Sequence, residues 1–296
     1  MQWQLRTRTL ELGTRTQIMG IVNLTSDSFS DGGSYLSTDK AIEHGIALLD
    51  QGADLLDLGA ESTRPGVQVG PTAAVSSEME QARLLPAIEG ILRERPASVL
   101  SVDTYKAATA RAALAAGAEI INDVSGLLWD AEMASVCAQA RCGVVLMHTR
   151  GVPAEWASQP PLPRSEVMST VRQGLISSLQ AAHSAGISDE AIVLDPGYGF
   201  GKRLDENFVL LAGQAELLAL GRPLLVGLSR KSFLTRVFVD KTGDRNILPE
   251  ALETASMAAM VAALLNGASI VRVHQVGLAA QAAAIADAVL KGKNLS

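Results

Sequence analysis

Apolar residues in this chain fall into short runs, each ended by a polar residue and followed by a longer, alanine-rich stretch. Three places show this pattern most plainly: "LLDQGADLLDLGAE" from Leu48, "AAGAEIINDVSG" from Ala115 and "LLNGASIVRVHQV" from Leu264. In each, a helix-like segment stops at a glycine, and an apolar strand-like run begins a few residues later. Gly52, Gly117 and Gly267 are the expected helix stops, because the residue just past a helix end adopts a left-handed conformation that glycine takes without a Cβ penalty. "QARCGVVLMH" around Gly143 and "SAGISDEAIVLD" around Gly186 are looser copies. Extending the pattern predicts eight strands, at 18–23, 55–59, 98–103, 119–123, 143–148, 191–195, 224–228 and 270–274, each followed by helical sequence. The stretch 104–116 is one such helix, with Thr104 as its expected cap.

Strands that alternate with helices pair in parallel, and near-continuous apolar runs imply burial on both faces. Eight such units predict an α/β fold, a (β/α)8 TIM barrel rather than an open sheet. "RTRTLELGTRT", alternating around Gly13, places an N-terminal β-hairpin in residues 1–16, outside the barrel. No linker divides the chain. "STRPGVQVGPTAAVSS" and "RGVPAEWASQPPLPRS" read as elaborated barrel loops, so 1–296 is one domain.

Composition changes this picture little but excludes several functions. At 296 residues and 48% hydrophobic content the chain can fill a large core, with alanine, leucine and valine standing in for aromatics, which make up 4%. A net charge of -6 argues against nucleic acid as a partner. Cys137 and Cys142 form neither a disulfide framework nor a metal knuckle and fit a reducing cytoplasm. No signal peptide or membrane span is expected, since the N-terminus is polar and no apolar run reaches about 18 residues.

"LDPGYGFGK" (Leu194 to Lys202) resembles a phosphate loop only superficially. A P-loop would need glycine where Pro196 stands and Ser or Thr where Arg203 stands; a dinucleotide fingerprint would need glycine at Lys202. What remains is a buried strand whose carboxylate, Asp195, sits at its C-terminal tip. In such barrels the active site lies at those tips. They carry Asn23, Glu61, Thr63, Arg64, Asp103, Asn122, His148, Asp195, Ser229, Arg230, Lys231, Arg272 and His274. Asp103, Asn122 and Asp195 are acceptors suited to a flat heterocycle with adjacent N–H donors. Arg64, Arg272 and His274 supply donors and positive charge suited to phosphate or pyrophosphate. Lys231 serves either set. Taken singly, each has a plainer explanation: a strand-end Asp is most often a cap or ion-pair member, Arg272 can simply pair with Asp57, and His148 reads as a satisfied core histidine. Met147 and Phe200 read as packing residues, and His44 and His183 as solvated. The coincidence of so many polar tips is what favours a site.

These tips lie in longer strings: "MGIVNLTSDSFSDGG" (from Met19), "ESTRPG" (from Glu61), "SVDTYK" (from Ser101), "INDVSG" (from Ile121), "LMHTRG" (from Leu146), "LDPGYGFGK", "GLSRKSF" (from Gly227) and "RVHQV" (from Arg272). Together, from about residue 17 to 290, they resemble dihydropteroate synthase. The resemblance implies a (β/α)8 transferase of folate biosynthesis, a homodimer dependent on Mg²⁺ and a target of sulfonamides. Such an enzyme joins 6-hydroxymethyl-7,8-dihydropterin pyrophosphate to 4-aminobenzoate. Carried over by motif, Asp103, Asn122, Met147, Asp195, Phe200, Gly227 and Lys231 would bind the pterin. Asn23, Arg64, Arg272 and His274 would receive the pyrophosphate, with Asn23 near the metal. Phe29, Thr63, Pro65 and Ser232 would meet the aminobenzoate, whose carboxylate would face the helix start after Lys231. Asp31 would face the cation that develops as pyrophosphate leaves, so Arg64, Lys231, Arg272, His274 and Asp31 form the implied catalytic set. Ser26 stands where the family usually has proline, which loosens a turn but removes no chemical group. Two other readings remain: a methyltetrahydrofolate–corrinoid methyltransferase-like barrel, which has no pyrophosphate to neutralise, and a non-catalytic pterin-binding paralogue.

Overall fold

A parallel strand pair needs a crossover long enough to hold a helix, and every apolar run in this chain has one after it. The computed structural model describes residues 1–24, 34–61, 68, 75–243 and 248–293. β1 (Gln2–Gln4) and β2 (Thr9–Glu11) pair antiparallel, with Trp3 opposite Leu10. The eight strands that follow are β3 (Gln17–Asn23), β4 (Leu55–Gly59), β5 (Leu100–Asp103), β6 (Ile120–Asp123), β7 (Gly143–Met147), β8 (Ile192–Asp195), β9 (Leu224–Val226) and β10 (Ala268–Val273). They close into a barrel in which β10 pairs with β3 and every neighbour is parallel. The crossovers carry α1 (Ser34–Asp50), α2 (Ser77–Glu94), α3 (Ala107–Ala115), α4 (Met133–Ala140), α5 (Val167–Ser184), α6 (Leu204–Gly213), α7 (Ser232–Thr242) and α8 (Pro249–Leu265), the last two both between β9 and β10; α9 (Val276–Lys293) follows β10.

Strand alternation sorts the barrel into layers. Leu56, Leu100, Ile121, Val144, Ile192, Leu224 and Val271 pack outward, in one cluster with helix residues such as Leu84, Val171 and Leu210. Their neighbours Leu55, Val99, Ile120, Val145, Val193, Leu225 and Ile270 form a separate inner cluster with Met19. Successive side chains on a strand point to opposite faces, so the next inward positions lie two residues further along. Five of these eight positions turn polar, Asp57, Ser101, Asn122, Asp195 and Arg272, while Ile21, Met147 and Gly227 do not. An apolar inner layer below a mostly polar one explains why most of the strands read as apolar runs that give way to a charged or amide residue near the tip.

The hairpin seals the bottom of this cylinder. Trp3, Leu5 and Leu12 belong to the same inner cluster and are almost fully buried. The Trp3 indole N–H donates to the Ala191 carbonyl at 2.9 Å. Arg6 and Arg8 donate to the carbonyls of Ala118 and Ala97, just ahead of β6 and β5. The Thr7 amide donates to Glu119 at 2.8 Å. The hairpin is therefore the closed floor of the barrel rather than an external appendage. Its turn falls between the two short strands, at residues 5–8, while Gly13 (φ +94°) lies beyond β2.

Local details depart from the sequence pattern for tertiary reasons. Gly52, Gly117 and Gly267 all have positive φ, as helix stops should. Thr104, however, does not cap α3. The helix starts at Ala107, whose amide donates to Asp130 Oδ2 at 2.8 Å; Thr104 Oγ1 accepts instead from the Lys106 amide. A distant carboxylate has replaced the local cap. His148, Leu228 and His274 lie just past the ends of β7, β9 and β10, and β10 begins two residues earlier than its apolar run. Replacing Trp3 with alanine opens a cavity in the floor and should cost about 3–5 kcal/mol of stability. Urea unfolding measures that loss, and ligand affinity at the opposite mouth should be unchanged.

Candidate active site

The C-terminal mouth opens into a cavity of about 470 Å³. Every described strand-tip residue assigned to the pterin or the pyrophosphate lines it: Asn23, Asp103, Asn122, Met147, Asp195, Phe200, Gly227, Lys231, Arg272 and His274. Glu61, Ser229 and Arg230 complete its polar wall. Ser232 is the exception. It lines a neighbouring groove of about 760 Å³ with Trp156, Val167 and Arg236, a groove that contains none of the strand-tip acids. Its greater size does not make it the chemical site. Phe29, Asp31, Thr63, Arg64 and Pro65, like Ser26, lie outside the described residues.

Beneath the cavity lies Asp57, a carboxylate with no exposed surface. Its Oδ1 accepts the Ser101 hydroxyl at 2.6 Å, and its Oδ2 accepts Asn122 Nδ2 at 3.0 Å and Arg272 Nε at 2.5 Å. Arg272 reaches on to Asp103, Nη2 to Oδ2 at 2.8 Å. The sequence separates an acid-and-amide side from a cationic side, but the structure interleaves them: the principal cation is paired with two carboxylates. Both the plain reading of Arg272, an ion pair with Asp57, and its place in the cavity hold at once. Burial drives the Asp103 carboxyl up to about 7, against Arg272 and with help from Asp57. Burial also opposes the Arg272 charge, yet Asp57 and Asp103 outweigh it and raise the guanidinium pKa further.

The loop after β8 is built from the residues that mimic a phosphate cradle. The Gly197 amide donates to Asp195 Oδ1 at 2.7 Å. Gly197 has φ +68°, and a Cβ there would stand 1.9 Å from the His148 carbonyl oxygen, so this turn accepts only glycine. Lys202 forms no ion pair among the described residues. Its buried ammonium donates to the carbonyls of His148 (3.1 Å), Gly197 (2.6 Å) and Phe200 (3.3 Å), tying this loop to the one after β7. Asn207 accepts the Gly199 amide and donates to the Lys202 and Arg203 carbonyls. Phe200 is thereby held edge-on to Trp156, with Lys231 Nζ 3.9 Å above its ring. Burial pulls Lys231 down to about 8, opposed by Asp195 and Asp103. His148 is buried as expected, but it is not satisfied: its Nδ1 has no hydrogen-bond partner among the described residues.

His274 corrects one expectation. The sequence counts it with the positive charges, yet burial, reinforced by Arg230, Arg272 and Lys231, lowers its pKa to about 3. It is a neutral donor. Ser229 Oγ accepts the His274 amide at 3.3 Å and lies 2.9 Å from Nδ1; the tautomer in which the hydroxyl donates to Nδ1 carries its proton on Nε2. On the opposite wall, Lys106 Nζ bonds Glu61 Oε2 at 2.5 Å and the Val75 carbonyl at 2.9 Å, with Glu80 at 3.4 Å. Neither Lys106 nor Asp57 stands out in the sequence as a site residue. The one signal for Asp57 is a carboxylate inside the apolar run "LLDLG".

The chain matches the family described as pterin binding enzyme over residues 19–274. It is 40% identical over 275 residues to the dihydropteroate synthase of Mycobacterium leprae, covering 93% of each chain. The chain belongs to the dihydropteroate synthase family. Its structure superimposes on the Xanthomonas albilineans dihydropteroate synthase with 4-aminobenzoic acid at a TM-score of 0.84 and 40% identity, covering 98% of each chain. On the same synthase in complex with 7,8-dihydropteroate the TM-score is 0.83 and the identity 38%, over 98% of this chain and 99% of that one.

Asp195 gives this site a testable pH response. Burial is the largest influence on its carboxyl and raises it from 3.8 to about 6, against the Gly197 amide and nearby lysines. A raised pKa means that the accepting, ionised form is lost on mild acidification. Pterin affinity measured by fluorescence should therefore be level above pH 7 and fall towards tenfold per pH unit below about 6. Asp195→Asn should bind weakly at all pH values, with a flat profile.

Proposed function

We propose that this synthase-family chain condenses 6-hydroxymethyl-7,8-dihydropterin pyrophosphate with 4-aminobenzoate, yielding 7,8-dihydropteroate and pyrophosphate. Family membership supports this reading, and one observation carries it: acceptors and donors converge in a single cavity at the C-terminal mouth. Asp195 has Oδ2 beyond the oxygen given to Gly197, and Asn122, with its NH2 given to Asp57, offers its carbonyl oxygen. These are the partners for the N–H edge of a pterin. Met147 and Phe200 supply apolar surface for its faces, and Gly227, where a Cβ would meet nothing, leaves room for the ring.

In the reaction, the bond from the methylene carbon to the pyrophosphate oxygen breaks and its electron pair leaves with the anion. The pterin ring spreads the positive charge left on the methylene, which suits a loose, dissociative path. The protein's contribution is electrostatic. Arg272 and Arg64 supply charge, and neutral His274 donates from Nε2 to the departing oxygens. The amine of 4-aminobenzoate then gives its lone pair to carbon and its proton to water, a step that demands no strong base. Ser232 at the start of α7 presents helix N–H groups for the aminobenzoate carboxylate, and Thr63, Pro65 and Phe29 would enclose its ring. Asp31 would face the developing cation.

Mg²⁺ belongs to the same reading. Among the described residues no three His, Cys, Asp or Glu side chains converge as a cage. The exposed Asn23 at the end of β3 offers one neutral oxygen, a donor set that fits Mg²⁺ held largely by pyrophosphate oxygens and water. Bound there, it would neutralise charge on the leaving group. A methyltransferase-like barrel has no leaving anion, and the Ser229–His274 donor pair beside Arg272 favours the synthase.

Compartment and assembly follow as part of the proposal. No described helix is long and apolar enough to cross a membrane, and the free thiols of Cys137 and Cys142 suit a reducing cytoplasm. On α9, Leu278, Ile285 and Val289 are 47%, 67% and 45% exposed and share one helix face, which suits burial in a homodimer. Sedimentation should find the wild type dimeric and Ile285→Glu shifted to monomer.

The deciding experiment is pyrophosphate release and dihydropteroate formation with both substrates, run with and without Mg²⁺. Dihydropteroate is expected only when both substrates are present, whereas the dissociative path lets pyrophosphate leave without aminobenzoate; absence of product would leave the non-catalytic paralogue. Arg272→Ala should cost about a hundredfold in kcat, the scale of removing one well-placed donor. Unchanged turnover would remove Arg272 from the mechanism.

A further inference from the structure

Asp57 is not among the residues that line the mouth cavity, yet three residues of the polar layer turn their hydrogens onto it: the Ser101 hydroxyl, the Asn122 amide and the Arg272 guanidinium. We propose that Asp57 is a positioning residue that dictates which way round Asn122 presents its side chain, and through it the acceptor character of the pterin pocket. The inference rests on the reading that this cavity takes a pterin.

The chemistry of the groups forces the arrangement. A carboxylate only accepts, and Arg272 Nε, which only donates, is fixed on the same oxygen as Asn122. Asn122 must therefore turn its NH2 inward, and Oδ1 is what remains for the cavity. Without that constraint an asparagine amide can turn over, exchanging acceptor for donor with almost no change in shape. A pterin edge that brings N–H groups would then meet N–H groups. Asp57 thus sets the polarity of a wall it does not touch. A merely structural carboxylate would influence folding and leave this polarity alone.

Asp57→Leu is the near-isosteric test, because it removes the acceptor and leaves an inward-turned Asn122 NH2 without a partner, which turning Asn122 over relieves. The probe is 6-hydroxymethylpterin, titrated calorimetrically into the wild type, Asp57→Leu, Asn122→Ala and the double variant. Asp57→Leu should bind about thirtyfold more weakly, the scale of a buried donor left unpaired. In the Asn122→Ala background the same change should cost about fivefold or less, because the residue it acts through is gone. Wild-type affinity in Asp57→Leu, or an undiminished loss in the Asn122→Ala background, overturns the inference while leaving the pterin reading intact. A wild type that binds no pterin overturns both. Should Asp57→Leu fail to fold, Asp57→Asn is the conservative variant: its amide oxygen can keep Asn122 and Arg272 while its NH2 donates to the Ser101 hydroxyl. It should bind within about threefold of the wild type; a larger loss counts against the proposal.

Discussion

A carboxylate held out of water between an arginine, an amide and a hydroxyl is the constraint on which this site depends. Taking an ion pair out of water costs nearly as much as its attraction returns, so Asp57 and Arg272 contribute little net stability by pairing. Their value is directional. Arg272, a flexible side chain on β10, is pinned at Nε on one acid and at Nη2 on another. The apolar layer underneath, capped by the hairpin, keeps water from loosening the network from below. Everything at the mouth is arranged upon this layer: the orientation of Asn122, the reach of Arg272 and the elevated Asp103 carboxyl.

The fold was legible because burial on two faces leaves a mark that composition cannot hide. The β strands after the hairpin read as apolar runs, and most of them give way near the tip to a polar residue of the inner layer, so tip residues such as Asp103, Asn122 and Asp195 stand out in the sequence. What escaped was anything whose partner lies elsewhere in the chain. Thr104 looks like a cap, and only the approach of Asp130 shows why it is not one. Asp57 looks like an interruption in a strand, because nothing nearby marks the three strands that supply its donors. His274 looks like a charge, and its neutrality comes first from burial and then from cations contributed by the loop after β9 and by β10 itself.

The glycine-rich loop after β8 illustrates the same limit in finer detail. Its spacing was enough to rule out a phosphate cradle, but not to say what the lysine does. The answer lies in backbone carbonyls, which every residue has and no sequence motif records. Two of the three that hold Lys202 come from its own loop and the third from the loop after β7. Gly197 is indispensable for an equally non-local reason, the carbonyl of His148 pressed against its Cα. Fold-level pattern and tip chemistry can thus be read directly, whereas the conformation of a binding loop depends on contacts between loops.

The floored barrel has a consequence for traffic. With the hairpin across one end and aliphatic side chains filling the tube above it, no passage runs through the barrel among the described residues. Both reactants arrive, and both products depart, by one doorway. A ligand that seated deep against Asp195 and Asn122 would be screened by whatever bound above it, so the order of arrival and departure would be set by depth as well as by affinity. A vessel with a single opening imposes a queue on its contents.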